Sequence, residues 1–271
     1  MRQEPVVLVV AGSDSGAGAG LQADLKTCFA LGVYAATAVT AVTVQNTRGV
    51  RRVEPMSAGL VAEQMRAVLE DFNVAAIKIG MLASAAVVES VVAVLADYPG
   101  CPVVLDPVLL STSGAELLEP AGVAVLKQDL LPNVQLVTPN LPEIALLAGM
   151  GELQSSEEMH EAAARLRGLG VPAVLVKGGH SGGDRSDDWL FAEGLEQRFS
   201  APRIKTGNTH GTGCTLASAI AAGLALGLPL ALAVEAAKRY LTGALGAAAV
   251  RRLGSGCGPL GHDFAMNEKF I

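Results

Sequence analysis

The chain has 271 residues, 51% of them hydrophobic and 17% charged, with 31 glycines and a formal net charge of −6 at pH 7. At about 150 residues per domain, this length allows one large α/β domain or two small ones, and the apolar, charge-poor composition excludes intrinsic disorder. Net acidity argues against a nucleic-acid-binding surface, which needs a basic stripe, so any bound anion has to be held locally.

The apolar run at residues 6–11 is far shorter than the core of a signal peptide and reads as a buried strand. Further β-branched runs follow at 37–44, 75–79, 103–106, 135–138 and 173–177, and each run but the last leads into a segment of helical spacing. That alternation predicts an α/β fold with a mostly parallel, twisted central sheet covered by helices on both faces. After Lys177 the rhythm changes: 188–192 and 197–201, joined by Glu193-Gly194-Leu195-Glu196, read as an edge hairpin in the C-terminal half. The uncharged stretch 216–234 is broken by Gly227 and Pro229. It leaves helices of about a dozen residues, too short for a ~30 Å bilayer core, and reads as two buried helices. No linker or repeat interrupts the pattern, which predicts a single domain over 1–271. Cys28, Cys101, Cys214 and Cys257 lie far apart with no CxxC or metal-ligand spacing, as expected of cytoplasmic thiols.

Ligands of open parallel sheets bind outside the carboxyl ends of the strands, and six polar or glycine-rich clusters fall there. The loop Gly12 to Gly20 fails both nucleotide fingerprints: Leu21 occupies the third glycine position of GxGxxG, and no Lys-Ser or Lys-Thr follows at P-loop distance. It is either a tight strand-to-helix turn or a loop that lets backbone approach a small flat ligand. Asn208-Thr209-His210-Gly211-Thr212-Gly213-Cys214 precedes a helix expected near Thr215. Two glycines before a helix N-terminus free N–H groups for a phosphate, and a thiol there is expected below its reference pKa of about 8.5. Asn140 and Glu143 can present an amide and a carboxylate to a hydrated Mg²⁺ or form a capping box. Lys177 can neutralise nucleotide phosphates or snorkel at the surface. His160, on a polar helix face, and His262, in a loose tail, read as bystanders.

These residues carry a resemblance. Ala11-Gly12-Ser13-Asp14 followed by Gly18-Ala19-Gly20-Leu21-Gln22-Ala23-Asp24-Leu25-Lys26-Thr27 resembles the opening motif of bacterial hydroxymethylpyrimidine/phosphomethylpyrimidine kinases. So do Val44-Gln45-Asn46-Thr47-Arg48-Gly49-Val50, Lys78-Ile79-Gly80-Met81-Leu82, Thr138-Pro139-Asn140-Leu141-Pro142-Glu143, Val176-Lys177-Gly178-Gly179-His180 and Asn208 to Cys214, a match running from about residue 6 to 262. The resemblance implies a ribokinase-like fold and Mg-ATP-dependent phosphorylation of 4-amino-5-hydroxymethyl-2-methylpyrimidine, then of its monophosphate, in thiamine biosynthesis. By matching position, Gly12, Asp24, Val44, Gln45, Met81 and Val108 would shape the pyrimidine pocket, with Asp24 and Gln45 hydrogen-bonding in the ring plane. Asp106 and Glu143 would serve Mg²⁺, while Asp106, Asn140 and Lys177 face the ATP phosphates. Gly211, Thr212 and Gly213 would form the anion hole and Cys214 the catalytic group. The chain departs from the family at Ser15-Gly16-Ala17, where Pro-Ser-Gly is more usual.

The nearest rival is a pyridoxal or pyridoxine kinase of the same superfamily; a sugar kinase is disfavoured by Cys in place of Asp at 214, and a pyrimidine-binding sensor by intact phosphate-handling residues. The uncharged helices near 216–234 and an exposed sheet edge predict a homodimer, with neither nucleic acid nor membrane as partner.

Overall fold

The computed structural model describes residues 4–109, 116–179 and 183–265. Its sheet has nine strands: β1 (Val6–Asp14), β2 (Tyr34–Asn46), β3 (Gly49–Pro55), β4 (Val74–Ile79), β5 (Val103–Leu105), β6 (Leu136–Val137), β7 (Ala173–Val176), β8 (Arg185–Ala192) and β9 (Leu195–Pro202). They lie in the order β3-β2-β1-β4-β5-β6-β7-β8-β9. The six from β2 to β7 are mutually parallel, and β3, β8 and β9 are antiparallel to their neighbours.

Strand β1 shows why this sequence makes a central strand. Val7, Val9 and Ala11 point into one core and Leu8 and Val10 into the other, all essentially buried, so no polar face is needed. The first core is covered by α1 (Gly20–Ala30), α7 (Thr212–Ala225) and α8 (Leu230–Ala248). On the opposite face lie α2 (Ala58–Asp71), α3 (Ala85–Asp97), α4 (Pro120–Val125) with the π and 3₁₀ turns that continue it, α5 (Leu141–Ala148) and α6 (Ser156–Gly168). Serines 57, 84 and 155 cap α2, α3 and α6 with their side chains, each offsetting one orphan N–H.

Three expectations change. The run 37–44 does not lead into a helix: β3 turns back on it first, with Arg51 as an extra residue between the Val44↔Arg52 and Gln45↔Val50 pairs. The hairpin turn is only Glu193-Gly194, because β9 already starts at Leu195. His262 is not in a loose tail; it is buried on a 3₁₀ turn with Nδ1 3.1 Å from Tyr240 Oη. The first premise for a dimer narrows, since residues 215–223 of α7 are all buried within the chain, while Leu226 and Leu232 stay about half exposed. Among the described residues, no helix is long and apolar enough to cross a membrane.

Candidate active site

β1 runs three residues past its expected end and finishes at Asp14, whose buried carboxylate folds the following loop around itself. Oδ1 accepts the Gly16 N–H at 2.7 Å, and Oδ2 accepts those of Gly18 at 3.0 Å and Ala19 at 2.9 Å. His210 Nε2 stands 2.9 Å from the same Oδ2. Burial alone would raise Asp14, but the His210 contact and the backbone donors outweigh it and hold the carboxyl below its usual range. Within this loop Ala17 has φ +58, a left-handed conformation that costs an L side chain about 1–2 kcal/mol. Ala17→Gly is therefore expected to stabilise the protein by about 1 kcal/mol, read as a higher denaturant midpoint at unchanged slope. A lower midpoint would show that the loop tolerates Ala17 without strain.

Beside this loop lies an apolar wall. Met81 packs with Ala41 and Leu117, and Val108 joins them; a Cβ on Gly12 would stand 2.6 Å from Met81 Cε. Thr40 Oγ1 donates to the Met81 carbonyl at 2.5 Å and fixes its backbone. Gly12, Met81 and Val108 are thus brought together. Gln45 faces the same region from the end of β2, next to Thr43 and His210. Val44 is not with it: strand alternation sets Val44 on the other side of β2 beside Val42, 51% and 43% exposed. Asp24 is also displaced from the expected role. Its carboxylate is fully buried, with Oδ2 2.8 Å from Lys78 Nζ and Oδ1 accepting from Ser218 Oγ at 2.7 Å, so it is spent on internal partners rather than offered to a ring. For Lys78, burial acts to depress the ammonium, but the Asp24 carboxylate outweighs it and keeps the lysine charged.

The third group of residues surrounds Lys177. Its Nζ lies 2.6 Å from Asp106 Oδ1 and 3.7 Å from Glu143 Oε2, so it does not snorkel: it bridges two nearly buried carboxylates. Thr138 Oγ1 adds a 3.2 Å contact to Asp106. The capping box at the start of α5 is fully made, with Asn140 Oδ1 accepting the Glu143 N–H at 2.9 Å and Glu143 Oε2 accepting the Asn140 N–H at 2.8 Å. Burial pushes the Glu143 carboxyl up to about 7, with Asp106 adding to the rise and Lys177 opposing it.

The first turn of α7 abuts this triad. The helix begins at Thr212, not near Thr215, so Gly213 and Cys214 are its second and third residues, and no side chain caps it. First-turn N–H groups have no intrahelical acceptor, which suits an anion. Gly211 reaches this geometry at φ +88, where a Cβ would meet the Gly18 carbonyl oxygen at 2.0 Å, and a Cβ on Gly213 would stand 3.0 Å from Asp106 Oδ2 and 3.3 Å from Lys177 Nζ. Cys214 corrects the helix-terminus argument. Its thiol is pushed up to about 11, not depressed, because burial dominates; Lys78 opposes the rise while Asp24 and Asp106 add to it.

Asp14, His210 and Lys78 are the residues of the candidate site that sequence reasoning left unassigned, although each lies inside a quoted motif. Nothing in spacing joins positions 14 and 210, or 24 and 78. His180, at the end of the Lys177 motif, lies outside the described residues.

A mostly parallel sheet with a flanking edge hairpin, holding a lysine–carboxylate cluster against a glycine-led helix start, defines a ribokinase-like kinase. The family model for phosphomethylpyrimidine kinase matches residues 14–261. The hydroxymethylpyrimidine/phosphomethylpyrimidine kinase of Rhizobium meliloti is 49% identical over 257 residues, covering 95% of this chain and 96% of that protein. The chain belongs to the phosphomethylpyrimidine kinase family. Two solved structures are similar: the phosphomethylpyrimidine kinase of Clostridium difficile, with TM-score 0.78, 37% identity and coverage of 88% of this chain and 98% of that one, and the pyridoxal kinase of Staphylococcus aureus in complex with AMP-PCP and pyridoxal, with TM-score 0.89, 30% identity and coverage of 98% and 96%.

Proposed function

We propose that the protein phosphorylates 4-amino-5-hydroxymethyl-2-methylpyrimidine with ATP and then phosphorylates the monophosphate. The observation that carries this reading is the apposition of the α7 N-terminal turn to the Lys177–Asp106–Glu143 cluster, with His210, just before that turn, in contact with Gln45. Phosphoryl transfer needs alignment and charge neutralisation more than covalent help from the protein. Gln45 would grip the ring edge, and the Gly211, Thr212 and Gly213 backbone would hold the transferring phosphoryl oxygens. Lys177, with Asn140 ordering the neighbouring helix start, would face the nucleotide. Lys78 and Asp24 form a buried, mutually neutralising pair between β4 and α1.

Two converging carboxylates, Asp106 and Glu143, fit Mg²⁺, which is usually held by one or two carboxylates together with substrate phosphates. Among the described residues no group of three or more His, Cys, Asp or Glu side chains that could hold a metal ion is found. Bound at Asp106 and Glu143, Mg²⁺ would neutralise phosphate charge.

Glu143→Gln separates this role from the cap. In the folded chain the carboxyl is raised from 4.5 to about 7, so its favourable contribution is full below pH 4.5 and is lost as pH rises through about 7. The glutamine can keep the capping contact but not the titration. The decline in stability between about pH 5 and pH 8 is expected to shrink, and the Mg²⁺ needed for half-maximal rate to rise. A variant that melts far lower at both pH values with normal Mg²⁺ demand would leave Glu143 as a cap alone.

The test of the reading is a phosphate-acceptor screen with Mg-ATP, read by product mass. The similarity to a pyridoxal kinase makes pyridoxine and pyridoxal the decisive comparison, and higher kcat/KM on either would overturn the pyrimidine assignment. ATP hydrolysis without transfer would favour a sensor. We also propose a cytoplasmic homodimer working as one domain per chain. The support for pairing is now the β3 edge with half-exposed Val42 and Val44 next to it, and a concentration-independent monomer mass in ultracentrifugation would refute it.

A further inference from the structure

Three groups hold the end of Gln45. Ser15 Oγ clamps its backbone, accepting the N–H at 2.9 Å and donating to the carbonyl at 2.8 Å. Thr43 Oγ1 lies 3.1 Å from one terminal atom of the side-chain amide, and His210 Nε2 lies 3.1 Å from the other. Which amide atom faces which neighbour follows from hydrogen accounting, because oxygen and nitrogen of an amide are told apart only by their partners.

The accounting starts at Asp14. Its Oδ2 already accepts from two backbone N–H groups and stands 2.9 Å from His210 Nε2. An ionised carboxylate only accepts, so Nε2 must carry a hydrogen; a bare nitrogen lone pair at that distance would repel it. An amide N–H directed at Nε2 would then meet another N–H. The amide oxygen has to face His210, which shares its hydrogen between Asp14 and Gln45. At the other end, the Thr43 hydroxyl hydrogen goes to the Ser13 carbonyl at 3.1 Å, leaving Oγ1 to accept from the Gln45 nitrogen. The Asp14 end demands this orientation, and the Thr43 end accommodates it.

We propose that His210 is a positioning residue that locks the Gln45 amide in this orientation and thereby sets which ring edge the site accepts; this builds on Gln45 as the ring-contacting residue proposed above. The locked amide has one oxygen lone pair left on the His210 side and one N–H left on the Thr43 side. It is matched by an edge with an amino group beside an unprotonated ring nitrogen. The corresponding oxo edge, with a carbonyl beside a ring N–H, presents the opposite polarity and leaves both groups unpaired, which is how a built hydrogen-bonding site rejects an analogue.

Long-range ¹H–¹⁵N correlation of histidine-labelled full-length protein reads the first step without any ligand. Nε2 of His210, assigned by its disappearance in His210→Gln, is expected to show the protonated, pyrrole-like shift; a hydrogen on Nδ1 alone would overturn the proposal. The second step is read by calorimetry with 4-amino-5-hydroxymethyl-2-methylpyrimidine and its 4-oxo counterpart. His210→Leu frees the amide to turn, so the preference for the amino compound is expected to fall about tenfold, the worth of one buried hydrogen bond. His210→Gln places an N–H near the Nε2 position and is expected to retain most of the preference. Equal preference in all three proteins would overturn the proposal. If the wild type binds neither compound, the pyrimidine reading fails, and the nitrogen shift still decides the state of His210.

Discussion

Cys214→Ala is expected to lower kcat for the pyrimidine alcohol by about 10²–10⁴, the usual loss on removing a general base, while phosphorylation of the monophosphate falls much less. The alcohol must lose a proton as it attacks; the monophosphate is already an anion. With its thiol raised to about 11, Cys214 is ionised in only about one molecule in ten thousand at pH 7. If the thiolate is the base, kcat/KM for the alcohol is expected to climb about tenfold per pH unit across the neutral range, with no such climb for the monophosphate. Stopped assays on each acceptor under saturating Mg-ATP provide the measurement. Equal losses on both acceptors would reduce position 214 to shaping the anion hole, and a flat alcohol profile would remove the thiolate from the mechanism.

The second large effect is expected from Lys177→Met. The ammonium is the only cation among the described residues within 4 Å of Asp106 and Glu143, and both carboxylates are buried. Taking one partner from a buried ion pair costs about 3–5 kcal/mol; with Lys177 itself 15% exposed, about 3 kcal/mol is expected. The sign with pH is testable. Without the lysine, burial and Asp106 act on Glu143 against only its backbone N–H donors, so its folded-state carboxyl moves further above the unfolded value and stability is lost as pH rises. The variant is expected to melt closer to wild type at about pH 5 than at about pH 8, and kcat to drop by at least about 10². Parallel melting curves at both pH values would show that Glu143 does not sense Lys177.

The parallel strands are legible as strands because β1 and its neighbours are apolar on both faces, and a six-residue valine-rich run has few other homes; their order across the sheet is not. β3 is not legible as a strand, because Arg51, Arg52 and Glu54 give an edge strand the composition of a loop. The start of α7 was set too late because Gly213, a poor helix former, occupies its second position at the one place where a side chain would strike Asp106 and Lys177. Motif order located Gln45, Lys177 and Glu143, yet it could not say that Lys177 is held by carboxylates or that Asp24 is spent on Lys78, since such pairings join positions 54 and 71 residues apart. The misjudged Cys214 thiol has the same origin: the helix end is visible in sequence, while the burial and the two neighbouring aspartates that outweigh it are not.

The Gly18 carbonyl stands where a Cβ of Gly211 would go, and a Cβ on Gly18 would strike His210 Cδ2 at 2.4 Å. These contacts make the two loops epistatic across nearly the whole chain. A saturation library at position 18 should yield survivors mainly where position 210 has been trimmed at the same time, in keeping with non-additivity between touching residues. Chimeras between relatives carry the same signature: a single crossover anywhere between residues 20 and 208 takes the two loops from different parents. Such hybrids will work when both parents carry the same pair of side chains at 18 and 210, and fail when they do not.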